Sequence, residues 1–281
     1  MLGVVDVGGG FRDSYGAGIF DYCLDQGIRF DYCIGVSAGS ANIVSYLSGQ
    51  KGRSYRFYND YVFRRRYVSL RNYILRRSYI NLDYGYRTLS AAGGEDPLDF
   101  EALMRNPAVM KVVACNAQTG GTVYFDKSDM TQDHYEILMG SSCIPVLCRP
   151  YPVRGVLCFD GGIADPVPVA RAFEDGCDKV VLILTKPESV IRSPEKDAGM
   201  ARRLEKKYPH AAEALAARAD TYNRGVRLAK EYRDQGRVLI LSPKDTAGMA
   251  TLTKDKKSIR KMYDEGVQDA AAIAEFLSRE S

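Results

Sequence analysis

32-YCIGVSAGSANIV-44 joins an apolar run to a second apolar run through a serine held between glycines. The first half, with Tyr32, Cys33, Ile34 and Val36, has the composition of a buried strand, and the second half that of a helix. Between them, Gly35-Val36-Ser37-Ala38-Gly39 is G-x-S-x-G. At a strand-to-helix junction this pattern makes a sharp turn that lifts the serine above the sheet, and Gly35 and Gly39 keep the turn free of clashes. The N-terminus of the following helix favours negative charge, as an acyl-transfer reaction develops. Ser37 is therefore a candidate nucleophile.

The same alternation continues along the chain. Strand-length apolar runs occur at 2–7, 30–36, 109–117, 122–126, 155–159, 178–185 and 237–241. Some are nearly continuous, such as VVLIL at 180–184, as expected of strands covered on both faces. Helices are expected at 14–26, 38–48, 166–175 and about 256–278, three of them followed by Gly27, Gly49 and Gly176. This pattern predicts a three-layer α/β/α fold with a mostly parallel central sheet. The weakest seam is the polar, proline-bearing 186-KPESVIRSPEKDAG-199. We expect a catalytic domain over 1–185 and an extension over 186–281 packed on the same domain, because RVLIL at 237–241 needs sheet neighbours.

The chain of 281 residues has a net charge of +4, too small an excess to suggest a nucleic-acid partner by itself. No apolar stretch reaches the ~18 residues of a membrane-spanning helix, and MLGVVDV reads as a first strand rather than a leader. Seven cysteines without C-x-x-C spacing read as buried free thiols in a cytoplasmic protein. No metal-ligand spacing is visible, and no cofactor is expected. His134 and His210 are the only histidines, and both fall in polar, helix-like surroundings that suggest surface positions.

A serine nucleophile without a histidine needs a carboxylate as its base. In 155-GVLCFDGGIADPVPV-169, Asp160 ends an apolar strand, and Gly161 and Gly162 leave room beside it. The other special stretch is 6-DVGGGFRDSYGAG-18. Gly8 and Gly10 fit the start of a dinucleotide fingerprint, and Asp31 lies at about the right distance, but Asp13 stands where the third glycine belongs. The loop is open to two readings: a pyrophosphate cradle or an oxyanion hole.

Taken in order, the three motifs resemble those of the patatin-like phospholipase family. Gly8-Gly9-Gly10-Phe11-Arg12-Asp13 is similar to its oxyanion loop G-G-G-x-[R/K]-G, Ser37 stands in its G-x-S-x-G, and Asp160-Gly161-Gly162 matches its D-G-[G/A]. The C-terminal part looks like that of a bacterial subgroup with a helical extension. The resemblance implies a serine acyl hydrolase using a Ser37–Asp160 dyad, with backbone amides of Gly8 to Phe11 holding the oxyanion and Arg12 adding charge or bracing the loop. It implies a lipid or acyl-ester substrate. Asp13, which departs from the pattern, is expected to cap the helix beginning at Ser14. Asp165, another departure, is assigned to the turn before Pro166. Competing readings are a dinucleotide-binding oxidoreductase and a catalytically silent lipid-binding member of the fold.

Between Arg53 and Arg77 there are eight arginines against one acidic residue, Asp60. Arg64, Arg65, Arg66, Arg71, Arg76 and Arg77 alternate with Tyr, Leu and Ile. This tract is either a solvated connection or a cap that meets anionic lipid headgroups at a membrane surface.

Overall fold

The structure is a computed structural model that describes residues 1–278, with the side chain of Arg76 outside the description. Eight strands form one sheet: β1 (Leu2–Asp6), β2 (Tyr32–Val36), β3 (Val109–Asn116), β4 (Thr122–Asp126), β5 (Tyr151–Val153), β6 (Val156–Asp160), β7 (Lys179–Ile183) and β8 (Val238–Leu241). The hydrogen-bonded path runs β5-β6-β3-β2-β1-β7-β8, and β4 also pairs with β3. β3, β2, β1, β7 and β8 are mutually parallel. β4, β5 and β6 are antiparallel to their neighbours.

The helices are α1 (Ser14–Gln26), α2 (Ala38–Leu47), α3 (Arg53–Asn59), α4 (Leu70–Arg76), α5 (Phe100–Arg105), α6 (Glu136–Ser141), α7 (Val169–Glu174), α8 (Glu195–Glu205), α9 (Pro209–Asp234), α10 (Lys256–Asp269) and α11 (Ala272–Ser278). They cover both faces. Val4, Cys33 and Val181 point to the side of α1, α2 and α10, whereas Val5, Ile34, Val36 and Leu182 point to α7 and α9. This is the expected three-layer α/β/α arrangement. Residues beyond 185 are part of it: β8 extends the sheet beside β7. α10 lies close along α1, where Tyr15 and Tyr263 donate reciprocal hydrogen bonds to Asp269 and Asp21, each 2.8 Å.

Two local expectations need correction, and one strand has no counterpart among the expected runs. The helix expected at 166–175 begins only at Val169, because Pro168 disfavours helical backbone at Val167. The long helix expected at 256–278 breaks after Asp269, giving α10 and α11. The three-residue strand β5 has no apolar signature of its own, carrying Pro152 at its centre.

The pairing along β3 creates the site. β4 holds one edge of β3 from Lys111 to Cys115. β2 pairs with the other edge only as far as Val113, and β6 takes over that edge from Ala114 to Asn116. β2 and β6 run toward each other and meet there. The last residue of β2, Val36, lies opposite Val113, and the last residue of β6, Asp160, lies opposite Ala114. Both chains must then leave the sheet at one point, through Ser37 and through Gly161.

Candidate active site

Ser37 leaves the sheet in a strained conformation, φ 56° and ψ −122°, between the end of β2 and the first residue of α2. A non-glycine residue with positive φ is held there only by its surroundings. Its N–H donates to Ser141 Oγ at 2.8 Å, and its carbonyl accepts from the Ser40 hydroxyl at 2.6 Å. The glycines of the motif are needed sterically. A Cβ on Gly35 would lie 2.6 Å from the Ser40 backbone, and one on Gly39 would lie 2.5 Å from the Asp6 carbonyl. Ser141, at the end of α6, is a supporting residue that sequence reasoning misses; its signal is only a small-residue run, GSS at 140–142.

Asp160 is buried, and its Oδ1 accepts the Gly162 N–H at 2.8 Å. Gly161 packs against the Val113 backbone, where a side chain has no space. Burial raises the Asp160 pKa above its ordinary 3.8; the Ser37 hydroxyl and the guanidinium of Arg218 oppose that rise. The Ser37 hydroxyl acts on the Asp160 carboxylate as a hydrogen-bond donor, the relation a nucleophile and its base require. His134 and His210 stand elsewhere, exposed and beside Glu136 and Glu213 at 3.3 and 3.2 Å.

The loop after β1 passes beside Ser37 with φ of 64°, 140° and 64° at Gly8, Gly9 and Gly10. Its amides are not equivalent. Gly8 N–H donates to Asp6 Oδ1 at 3.0 Å, and Phe11 N–H donates to the Thr251 carbonyl at 2.8 Å. Among the described residues, the N–H groups of Gly9 and Gly10 have no partner. The Ala38 N–H, at the first position of α2, also lacks one inside its helix. Of the amides from Gly8 to Phe11, those of Gly9 and Gly10 are thus the ones left open among the described residues. Arg12 lies buried beneath the loop, with its Nε unpaired and Nη1 3.5 Å from Thr251 Oγ1.

Asp13 does not cap α1: it occupies the position before Ser14, but its side chain makes no capping hydrogen bond. It turns inward to Asp6, the two carboxyls flanking the space where Gly16 lacks a Cβ. Burial and the neighbouring Asp6 push Asp13 well above the ordinary carboxylate value, which favours its neutral form. The Asn42 amide donates to Asp6 Oδ2 at 3.4 Å and to the Asp13 carbonyl at 3.0 Å.

Asp31 speaks against a dinucleotide. It precedes β2 and accepts the Leu2 N–H at 2.8 Å, at the start of β1. The glycine loop follows the end of β1, on the order of 15 Å away across the sheet. Asp165 accepts from the Tyr124 hydroxyl at 2.6 Å, away from Ser37.

Ser37 lies on the seam of two cavities. One is a narrow slot of about 70 Å³, walled by Phe57, Tyr58, Tyr67, Leu82, Tyr86 and Leu89 and floored by Arg53, Ser90 and Asp96. The other is a basin of about 530 Å³ that also contains Asp160, Gly9 and Gly10. Its walls include Lys186, Arg192, Lys196 and Arg218. Sequence reasoning takes 186–199 for a seam; its place after a central parallel strand is the available signal, since such folds bind ligands at the carboxyl ends of strands.

All seven cysteines are buried and free. In the basic tract, Arg64 is taken up by Glu95 through two contacts of 2.6 and 2.7 Å. Arg65, Arg66, Arg71 and Arg77 are exposed, and Arg76 lies outside the described side chains. With them, Leu70, Ile74 and Leu75 are 72%, 75% and 67% exposed. No described helix is long and apolar enough to cross a membrane.

The uncharacterized protein YjjU of Escherichia coli (strain K12) is 26% identical over 199 residues, which is 69% of this chain and 54% of YjjU. The chain thus spans about half the length of that relative. The crystal structure of VipD from Legionella pneumophila has a similar fold, with a TM-score of 0.50 at 14% identity over 98% of this chain and 66% of that one. A domain family of unknown function (DUF6363) matches residues 208–279, and the model described as patatin-like phospholipase matches residues 7–173, more than half of the chain. With its glycine loop, serine turn and strand-end aspartate all inside that match, the chain belongs to the patatin-like phospholipase family.

Proposed function

We propose that this protein is a serine acyl hydrolase that cleaves lipid carboxylic esters, with Ser37 as nucleophile and Asp160 as its base. The meeting of β2 and β6 carries this reading, because it brings a strained serine and a buried carboxylate to one point of the sheet. Ser37 Oγ attacks the ester carbonyl carbon while Asp160 accepts the hydroxyl proton. The N–H groups of Gly9 and Gly10, with Ala38, face the negative oxygen that forms. Asp160 then gives its proton to the departing alkoxide, leaving the acyl group on Ser37. A water molecule, deprotonated by Asp160, attacks the acyl carbon; the bond to Ser37 Oγ breaks, Asp160 returns the proton to that oxygen, and the fatty acid leaves. The acyl chain occupies the aromatic slot.

Residues 1–185 carry the reaction and 186–281 complete its walls. Free buried thiols support a cytoplasmic protein. The exposed leucines and isoleucine of α4 among arginines support peripheral contact with anionic membranes. Tyr67 and Ile80, on either side of α4, both line the slot.

A fluorophosphonate probe tests the nucleophile. We expect it to label Ser37, and Ser37→Ala or Asp160→Asn to lower ester turnover by about 10⁴-fold or more. Replacing His134 and His210 together should leave most activity. Because the base must be ionised and its pKa is raised, activity should fall with acid at a pH above 3.8. Loss of turnover in the double histidine variant would overturn the dyad.

A further inference from the structure

Five cationic side chains, Arg12, Lys186, Arg192, Lys196 and Arg218, face the basin beside Ser37, against the two carboxylates Asp160 and Asp197. Asp197 is already engaged by Arg218 at 3.4 Å, and Asp160 is the base of the proposed reaction. The remaining positive charge is held in place without neutralisation. Arg192 is clasped through its backbone, which both donates to and accepts from the Asn223 side chain at 2.9 Å, and its guanidinium lies over the Tyr222 ring at 5.0 Å. Arg12 is 7% exposed, and its Nε and that of Arg218 are buried without partners. Burial, then the charges of Arg192, Arg12, Lys196 and Arg218, push the Lys186 ammonium down to about 8. Burial and Arg218 likewise push Arg192 down to about 10. Like charges gathered out of water are costly unless an anion joins them.

We infer that this basin is a subsite for a phosphate on the alcohol side of the ester, and that it selects a phosphate bearing no cationic substituent. The inference rests on the reading of Ser37 as nucleophile. The acyl side is assigned to the aromatic slot, where Arg53 is paired with Asp96 at 4.0 Å, so the alcohol side of an ester at Ser37 faces the cations. Guanidinium groups match the oxygens of phosphate in paired hydrogen bonds, and an ammonium beside them adds a point charge. A phosphate monoester gains from all of them, whereas a phosphocholine brings a fixed positive charge into a positive basin. Lys186, Arg192, Lys196 and Arg218 all come from beyond residue 185, and Arg218 and Tyr222 fall in the stretch matched by the domain family of unknown function. In this chain that stretch helps to read the headgroup.

The test compares three esters of one acyl chain on the full-length protein: acylglycerol 3-phosphate, acylglycerophosphocholine and neutral monoacylglycerol. The phosphate monoester should show a kcat/KM about tenfold above the phosphocholine ester, mainly through KM. In Arg192→Gln with Lys196→Gln that ratio should fall toward one. The ratio is read within one sample, so a poorly folded variant cannot mimic the result, and Lys186→Gln gives an independent check. A ratio near one, or reversed, in the unmodified protein overturns the headgroup assignment. Inorganic phosphate then separates the two sources of the anion. Protection of Ser37 from the probe by phosphate, absent in the double variant and with no headgroup preference, would assign the subsite to free phosphate. No protection and no preference would remove the subsite. Failure of the hydrolase reading is distinct: Ser37 would go unlabelled and the neutral ester uncleaved, while phosphate binding by calorimetry would stand or fall separately.

Discussion

Asp13 shows how one substitution is absorbed. A carboxylate beside an oxyanion site would oppose the reaction, but Asp13 is fully buried with Asp6, which favours its neutral form. The cost falls on stability, and its sign follows from linkage. In the unfolded chain Asp13 loses its proton above about 3.8, while the folded protein retains it. Rising pH therefore favours unfolding, from 3.8 up to the raised folded value, by at most about 1.4 kcal/mol per pH unit. Asp13→Asn keeps a donor toward Asp6 and removes the titration. Urea unfolding should find the variant's advantage over the native chain larger at pH 7 than at pH 4.5. An advantage independent of pH would mean that Asp13 is not held protonated. Single positions in this chain divide sharply in how readable they are. Ser37 and Asp160 can be named from their neighbours, because small residues around a polar one leave a pattern in sequence. The inward turn of Asp13 cannot, because it depends on Asp6 and on the space beside Gly16, which only packing brings together.

At the scale of elements, α4 is the exception to the rule that apolar faces are covered. Ser69 caps it, accepting the Asn72 N–H at 3.2 Å, and a bridge between Val68 and Ile80 closes its base, so the helix is presented rather than frayed. Replacing Leu70, Ile74 and Leu75 with serine should weaken binding to vesicles containing anionic lipid by tenfold or more, since each side chain is worth about 1–2 kcal/mol when buried. Raising salt should weaken binding further through Arg65, Arg66, Arg71 and Arg77. Binding that survives both changes would assign membrane contact elsewhere. Most strands are legible because their apolar runs are short and bounded by turn residues. The mostly parallel character of the sheet is legible from the strand–helix alternation, but the direction of a single strand is not: β6 is apolar like its parallel neighbours and runs antiparallel. The head-on meeting of β2 and β6 therefore has no trace in the chain, although the two residues it unites do.

The whole molecule cannot be divided at its weakest-looking seam. Ending the chain at residue 185 would remove β8, α9 and α10. It would bare the β7 edge and the faces of α1 and the sheet that they cover. Exposed edges and apolar faces recruit other chains. The truncated protein should partition into the insoluble fraction, checked by soluble yield and light scattering; a soluble monomer would show that 1–185 folds alone. The seam looks like a boundary because polarity and proline usually mark linkers, and here the same composition builds a wall of the basin.

The hydrogen bond from Phe11 to Thr251 joins the glycine loop to a carbonyl that emerges from the ribosome some 240 residues after it. Until that carbonyl arrives, the glycine loop lacks one of the contacts that fix its amides. A nascent chain can thus carry Ser37 and Asp160 long before it can use them well. Synthesis order becomes a delay: the proposed ester cleavage waits until Thr251 has been made.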